Sequence, residues 1–346
     1  MQNIDSSGRV SILLVKTSSM GDVIHTFPVA RAIKKFFPDV TVDWVVAEGY
    51  TELVRLSPYV DNIYPFRRKE WGRWWSPATL KQISAFIRLI RGHEYDAVID
   101  LQGLLRSGLI SLAARAPVKI GFAYAREGAS FFYNRKVGSN DADIHAIDRY
   151  MQTLLELGIE AGTAVGYDLA IPQAELDWAE KAVSEKPFVA INPNARWETK
   201  RWPIKRFAKL AKELHKREGL RSVIIGGPED IERGKTLADE AGDCAIDLTN
   251  AGGFGRLAAI LHKSSGLITN DSGPMHLAVA LGTPTVAIFG PTNPKRTGPY
   301  GMENAVTQHP LQCAPCYKRV CPTLHECMEE VMVEGVISSW DKVKKR

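Results

Sequence analysis

Residues 266–291 read Gly-Leu-Ile-Thr-Asn-Asp-Ser-Gly-Pro-Met-His-Leu-Ala-Val-Ala-Leu-Gly-Thr-Pro-Thr-Val-Ala-Ile-Phe-Gly-Pro. An apolar run, Gly266 to Thr269, enters the polar turn Asn270-Asp271-Ser272-Gly273; Pro274 then opens a helix, and a second apolar run follows from Pro284 to Phe289. The order is strand, turn, helix, strand. Ser272 or Asp271 suits a helix cap, Gly273 admits another group close to its backbone, and Pro274 fits the first helical turn. Backbone N–H groups at such a start point outward, where an anion such as a diphosphate binds well. The same turn also reads as a well-capped helix with no ligand.

Working outward, Val/Ile/Leu-rich runs recur with amphipathic stretches between them. In the first half they are Ser11–Lys16, Thr41–Val46, Asp96–Leu101 and Val118–Gly121; in the second, Phe188–Asn192, Ser222–Gly226, Ala245–Leu248, Gly266–Thr269 and Thr285–Phe289. Continuous apolar strands alternating with helices predict an α/β fold with parallel sheets covered by helices. The two series separate near residues 161–187, where Ala-Gly-Thr-Ala-Val-Gly and Ile171-Pro172 break the pattern. This predicts a domain over 1–170, a second over 171–330, and a terminal helix over 331–346 that packs back on the first domain. A chain of 346 residues suits two domains of roughly 150–180 residues. Two doubly wound domains imply a ligand cleft between them, at the C-terminal ends of the strands.

Composition is that of a globular protein, 45% hydrophobic and 24% charged, with a net charge of +5. No apolar run of about 18 residues predicts a membrane span, and the first residues lack the apolar core of a secretion signal. A cytoplasmic location is expected. The mild positive charge suits an anionic ligand or a membrane surface and does not call for nucleic acid.

After the first strand comes Lys16-Thr17-Ser18-Ser19-Met20-Gly21-Asp22, followed by an amphipathic helix. The loop projects Lys16 and Asp22 toward the expected cleft. Neither the NTPase phosphate-loop spacing nor Gly-x-Gly-x-x-Gly is present. Asp22 reads as a carboxylate with a chemical role or as a simple helix cap.

Several stretches resemble the lipopolysaccharide heptosyltransferases: Lys-Thr-Ser-Ser-Met-Gly-Asp-Val-Ile-His-Thr-Phe-Pro after the first strand, Asp-Trp-Val-Val-Ala-Glu-Gly-Tyr at 43–50, Asp-Ala-Val-Ile-Asp-Leu-Gln-Gly at 96–103, Phe-Tyr-Asn-Arg-Lys at 132–136, Lys-Arg-Trp-Pro at 200–203 and Asn-Asp-Ser-Gly-Pro-Met-His at 270–276. The first-domain motifs are most similar to those of heptosyltransferase I. The resemblance implies a GT-B architecture of two Rossmann-like domains. It also implies inverting transfer of heptose from ADP-heptose to the Kdo of the lipopolysaccharide inner core, at the cytoplasmic face of the inner membrane. Heptosyltransferase II or a relative with another sugar or acceptor is the alternative, and a sugar-nucleotide-binding or epimerase-like protein without transfer activity is a second.

Such a transfer needs a base for the acceptor hydroxyl and positive charge for the departing diphosphate. Asp22 resembles the family's base and Lys200 its diphosphate lysine. Asn194, Ser272, Gly273 and His276 are donor-site candidates, Asp271 an orienting carboxylate, and Glu229 a nucleoside contact. Glu229 also reads as a plain acid in a first helical turn, and His276 as a packed histidine. No catalytic metal is expected, since Lys200 and helix-end donors supply the countercharge.

The acceptor side is read from residues 67–91, where seven basic residues and three tryptophans accompany one acid. Arg67, Arg68, Arg73, Arg126 and Lys16 are the candidates for the phosphates and Kdo carboxylates of a Kdo-lipid A acceptor at a bilayer surface. A solvated basic helix with tryptophan packed inward is the other reading. Finally, Cys313-x2-Cys316-x4-Cys321-x5-Cys327 reads as a structural zinc or iron site or as reduced thiols in a compact loop.

Overall fold

In the computed structural model, residues 10–72, 76–139, 141, 143–160, 163–183, 187–302 and 305–344 are described. The chain divides into two compact units, Met1–Asp168 and Leu169–Arg346.

The first unit holds β1 (Ser11–Val15), β2 (Thr41–Ala47), β3 (Asn62–Phe66), β4 (Ala97–Asp100), β5 (Val118–Phe122) and β6 (Arg135–Val137) in the order β3-β2-β1-β4-β5-β6. The second holds β7 (Phe188–Asn192), β8 (Arg221–Ile224), β9 (Ala245–Asp247), β10 (Leu267–Asn270), β11 (Thr285–Phe289) and β12 (Val306–Gln308) in the order β12-β11-β10-β7-β8-β9. Every pair in both sheets is parallel. The second order, read from its other edge, repeats the first, so each unit is doubly wound. Each reverses its strand order beside its first strand, between β1 and β4 and between β7 and β10. The α/β expectation holds.

Burial explains the strand sequences. The residues of β7 and β11 are buried along their whole length, as are Ile12 to Val15 of β1, which is why these runs are apolar without alternation. One polar exception ties an edge strand to its neighbour: buried Asp43 of β2 accepts hydrogen bonds from Tyr64 Oη (3.0 Å), Tyr95 Oη (2.9 Å) and Asn62 Nδ2 (2.8 Å).

The terminal helix Val333–Val343 falls within the second unit. Val336, Trp340 and Val343 are buried in the same cluster as Ile268, Val286 and Ile288. Gly266 makes room for the indole: a Cβ there would stand 2.5 Å from Trp340 and 2.7 Å from the Pro284 carbonyl. The helix therefore has its apolar face committed to its own sheet.

Candidate active site

In the first unit the loop after β1 and the loop after β4 are fastened together. The Gln102 side-chain carbonyl accepts from Thr17 N (3.1 Å), Thr17 Oγ1 (3.1 Å) and Ser18 N (3.0 Å). Beneath it, buried Asp100 accepts from the backbone N–H groups of Gln102 (2.8 Å) and Gly103 (3.1 Å) and from Tyr133 Oη (2.7 Å). Burial pushes the Asp100 carboxyl up, against the pull of these donors. This scaffold carries the helix Met20–Ile24, and with it Asp22.

Asp22 both caps its helix and offers a reachable carboxylate. Its Oδ2 accepts from Ser19 N (2.9 Å) and Ser19 Oγ (2.8 Å), and its Oδ1 accepts from Tyr150 Oη at 2.7 Å. The side chain is 37% exposed. Burial alone would push the carboxyl up, but the Lys16 ammonium, the Ser19 N–H, the Tyr150 hydroxyl and His25 together hold it well below the usual carboxylate range.

Lys16 is where the structure departs from the sequence reading. Placed there as an acceptor contact, it is instead buried beneath Asp22. Its ammonium donates to the Leu101 carbonyl (2.8 Å) and to Tyr150 Oη (2.7 Å), and lies 3.5 Å from Asp22 Oδ1. Burial pulls its pKa down while Asp22 and Asp100 raise it. Its hydrogen bonds thus go to the Leu101 carbonyl and to the Tyr150 hydroxyl, which itself donates to Asp22. Tyr150, from the helix Ala146–Met151, was missed altogether: one aromatic in a helical stretch carries no signal of this role.

Among the basic candidates, Arg126 is exposed, and its backbone N–H donates to Gly103 O at 2.9 Å, which seats it at the strand ends that carry Asp22. Arg67 pairs with Glu48 at 3.0 Å and Glu70 at 3.8 Å. The side chain of Arg68 and the whole of Arg73 lie outside the described residues. Trp71 packs inward on Phe66 and Phe86, with ring centroids 4.9 and 5.1 Å apart, as the structural reading of that segment expects.

In the second unit the loops after β7 and β10 meet. Asn192 Nδ2 donates to Ser272 Oγ (2.8 Å) and Thr269 Oγ1 (3.1 Å). Asn270 Nδ2 donates to Pro193 O (2.8 Å) while its Oδ1 accepts from Trp202 N (3.0 Å). Ser272 is the N-cap of the helix Gly273–Ala280, yet its hydroxyl makes no cap bond, because Asn192 and Thr269 claim it. Asp271 does not cap either: its Oδ2 is held by Lys200 Nζ (2.6 Å) and Thr292 Oγ1 (2.6 Å). Side-chain capping, the expectation from the sequence, gives way to a polar network behind the turn. His276 is buried in the first turns of this helix.

Lys200 ends the short helical turn Glu198–Lys200 and lies over the Trp197 ring, 4.7 Å from its centroid. Asn194 is buried; its Oδ1 accepts from Arg233 Nε at 3.2 Å. Its Nδ2 has no protein partner, and a Cβ on Gly226 would stand 2.8 Å from it. An unpaired amide donor beside a glycine at the strand ends is the arrangement a ligand acceptor completes. Burial lowers the pKa of Arg233. Glu229 is exposed in the turn Pro228–Asp230 that follows. Arg233, Thr292 and Asn192 were not singled out in the sequence; Thr292 and Asn192 had a usable signal, being polar residues at the C-terminal ends of apolar strands.

Cys313, Cys316, Cys321 and Cys327 line one small pocket together with His325. Burial and the three neighbouring thiols push the Cys327 thiol up to about 11. Among the described residues, however, no three His, Cys, Asp or Glu side chains are placed to hold one ion. The loop braces the Lys200 turn: Thr199 Oγ1 donates to Lys318 O (2.8 Å), and His325 Nε2 lies 2.6 Å from Thr199 O.

The family model for glycosyltransferase family 9 (heptosyltransferase) matches residues 83–326. The chain belongs to glycosyltransferase family 9. It is 33% identical over 320 residues to lipopolysaccharide heptosyltransferase 1 of Pseudomonas aeruginosa, covering 90% of this chain and 87% of that protein. To the Escherichia coli K12 heptosyltransferase 1 it is 30% identical, covering 87% and 94%. The solved E. coli heptosyltransferase WaaC with ADP superposes with a TM-score of 0.78 at 27% identity, covering 96% of this chain and 99% of that one. The two doubly wound units of this glycosyltransferase are those of the GT-B type, and among the described residues no helix is long and apolar enough to cross a membrane.

Proposed function

We propose that this glycosyltransferase moves heptose from ADP-heptose to the Kdo of the lipopolysaccharide inner core with inversion, acting in the cytoplasm against a membrane-held acceptor. The observation that carries this reading is the 30–33% identity to heptosyltransferase 1 proteins over nearly the whole chain.

The chemistry divides between the units. In the first, Asp22 takes the proton of the acceptor hydroxyl as that oxygen bonds to the anomeric carbon, and Arg126, Arg67, Arg68 and Arg73 meet acceptor phosphates and carboxylates. In the second, the bond from the anomeric carbon to the diphosphate oxygen breaks and ADP leaves with the electron pair. Lys200, Asn194, Ser272 and the Gly273 backbone neutralise the diphosphate, with His276 beside them; Asp271 orients the sugar and Glu229 the nucleoside. A carboxylate held so low is a weak base, so proton transfer comes late, once cleavage has made the acceptor oxygen acidic.

Purified protein given ADP-heptose and Kdo-lipid A is expected to release ADP and add one heptose to the acceptor. Turnover only on an already heptosylated acceptor would move the assignment to the second heptose. Donor binding without turnover on either would favour a non-transferring protein.

For the cysteine loop we propose a structural zinc or iron ion, taken up when Cys313, Cys316, Cys321 and Cys327 close on it. Supporting this is the pocket that the four cysteines line together with His325. Metal analysis of protein purified without oxygen should give about one ion per chain; a ratio near zero makes the loop one of reduced thiols.

A further inference from the structure

The helix Leu105–Ala113 is amphipathic in the inverted sense. Its buried side carries Ser107, Gly108 and Ser111 with one apolar residue, Ile110, in the core, while Leu105, Leu109 and Leu112 are 45%, 49% and 54% exposed. A helix on a globular domain ordinarily turns its leucines inward. Here the inward side is made tolerable by hydrogen bonds: Ser107 Oγ donates to Leu104 O (2.8 Å) and Ser111 Oγ to Ser107 O (3.0 Å). Leucines at spacings of four and three residues form one stripe.

The neighbouring turn extends that stripe. Gly108 lies so close to Phe132 that a Cβ would stand 2.4 Å from the ring. With Phe132 packed there, the preceding Phe131 is left 87% exposed. Lys119 Nζ donates to Leu112 O at 3.2 Å, placing an ammonium at the end of the stripe. Between residues 104 and 136 the chain carries six basic side chains, of which Arg135 pairs with Glu156 at 3.8 Å, and one acidic one, Glu127, which accepts from Leu105 N at 3.2 Å.

We propose that this face, Leu105, Leu109, Leu112 and Phe131 rimmed by Arg106 and Lys119, docks the first unit on a membrane surface rich in anionic phospholipid. The charge decides the occupant: leucine and phenylalanine enter the headgroup boundary while arginine and lysine meet lipid phosphates. Arg126 precedes the Phe131 turn by five residues, so docking brings an acceptor-side candidate to the lipid surface. In that respect the inference rests on the proposed lipid-linked acceptor.

The test uses the full chain with vesicles of phosphatidylcholine alone and of phosphatidylcholine with phosphatidylglycerol. The wild type is expected to sediment with the anionic vesicles, more weakly at high salt. The double variant Leu109→Ser/Phe131→Ser is expected to bind about tenfold more weakly or worse, with an unchanged melting profile. Its turnover on vesicle-embedded acceptor should fall, while turnover on a soluble acceptor without acyl chains stays at the wild-type level. Wild type that ignores anionic vesicles, or a double variant that binds them equally well, overturns the docking surface. So does a wild-type dimer that the double variant abolishes, which would make the stripe a self-interface. Vesicle binding is read without turnover, so failure of the heptose assignment and failure of the docking surface are seen separately.

Discussion

Asp22→Asn is expected to lower kcat by about 10²–10⁴-fold while leaving ADP-heptose binding near the wild-type level. The asparagine keeps an oxygen to accept from Ser19 but cannot take up the acceptor proton. Asp22→Ala should lose as much activity and in addition about 1 kcal/mol of stability, since its bonds to the start of the helix Met20–Ile24 go with it. Comparing the two variants separates base from cap: isothermal titration with ADP-heptose reports binding, and single-turnover kinetics report chemistry. Wild-type turnover by Asp22→Asn would remove Asp22 as the base. The pH dependence has a definite sign. The carboxyl is held below its unfolded value, so its stabilising contribution is complete above about pH 4 and is lost as pH falls through the lower folded value. Tyr150→Phe removes one hydrogen bond to the carboxylate, so the acid limb of kcat/KM should move to higher pH.

Legibility followed burial. The strands found in the sequence are the interior ones, together with β9, and their ends were right to within about two residues. The three that went unread, β3, β6 and β12, all lie at sheet edges. An edge strand is half solvated, so its apolar run is diluted: β3 is Asn-Ile-Tyr-Pro-Phe, and β6 is Arg-Lys-Val with both basic residues exposed. Pro65 in β3 is tolerable because an edge need not donate outward. Nothing in these five- and three-residue stretches distinguishes a strand from a loop.

The site shows the same division. The candidates Asn194 and Asp271 stand within two residues of the end of an apolar strand, and Asp22 in the loop-and-helix segment after β1, so the strand pattern alone locates them. Lys16 shows what sequence adjacency leaves open: it does not say which way a side chain turns, and here the buried carbonyl of Leu101 draws the ammonium inward. Tyr150 reaches Asp22 across 128 residues, and no local spacing encodes such a contact. The inverted helix Leu105–Ala113 was also unread, because its leucines fit an inward apolar face equally well until burial shows which side faces the sheet.

Lys200→Ala should lower kcat/KM by about 10²–10³-fold and raise the concentration of ADP-heptose needed for half-saturation. The lysine supplies a localised positive charge beside the amides and hydroxyls of Asn192, Asn194, Ser272 and Thr292, and charge-assisted bonds to phosphate are the strong ones. The substitution has a second consequence. Asp271 is 6% exposed and depends on Lys200 and Thr292, so removing the ammonium leaves a buried carboxylate with one neutral donor. A stability loss of about 1–3 kcal/mol is expected, measured as an earlier denaturant midpoint for the second unit. Lys200→Ala/Asp271→Asn removes the stranded charge and should recover most of that stability without recovering turnover. Recovery of turnover in the double variant would mean that Lys200 serves only to neutralise Asp271. Lys200→Arg keeps the charge but spreads it over a planar group with different reach, so intermediate activity at full stability is expected. Asp271→Asn alone is the control for the lost carboxylate: a further fall in donor affinity and turnover from that variant to the double variant would tie the added loss to Lys200, because Asp22 and the acceptor-side arginines are untouched in all of these proteins.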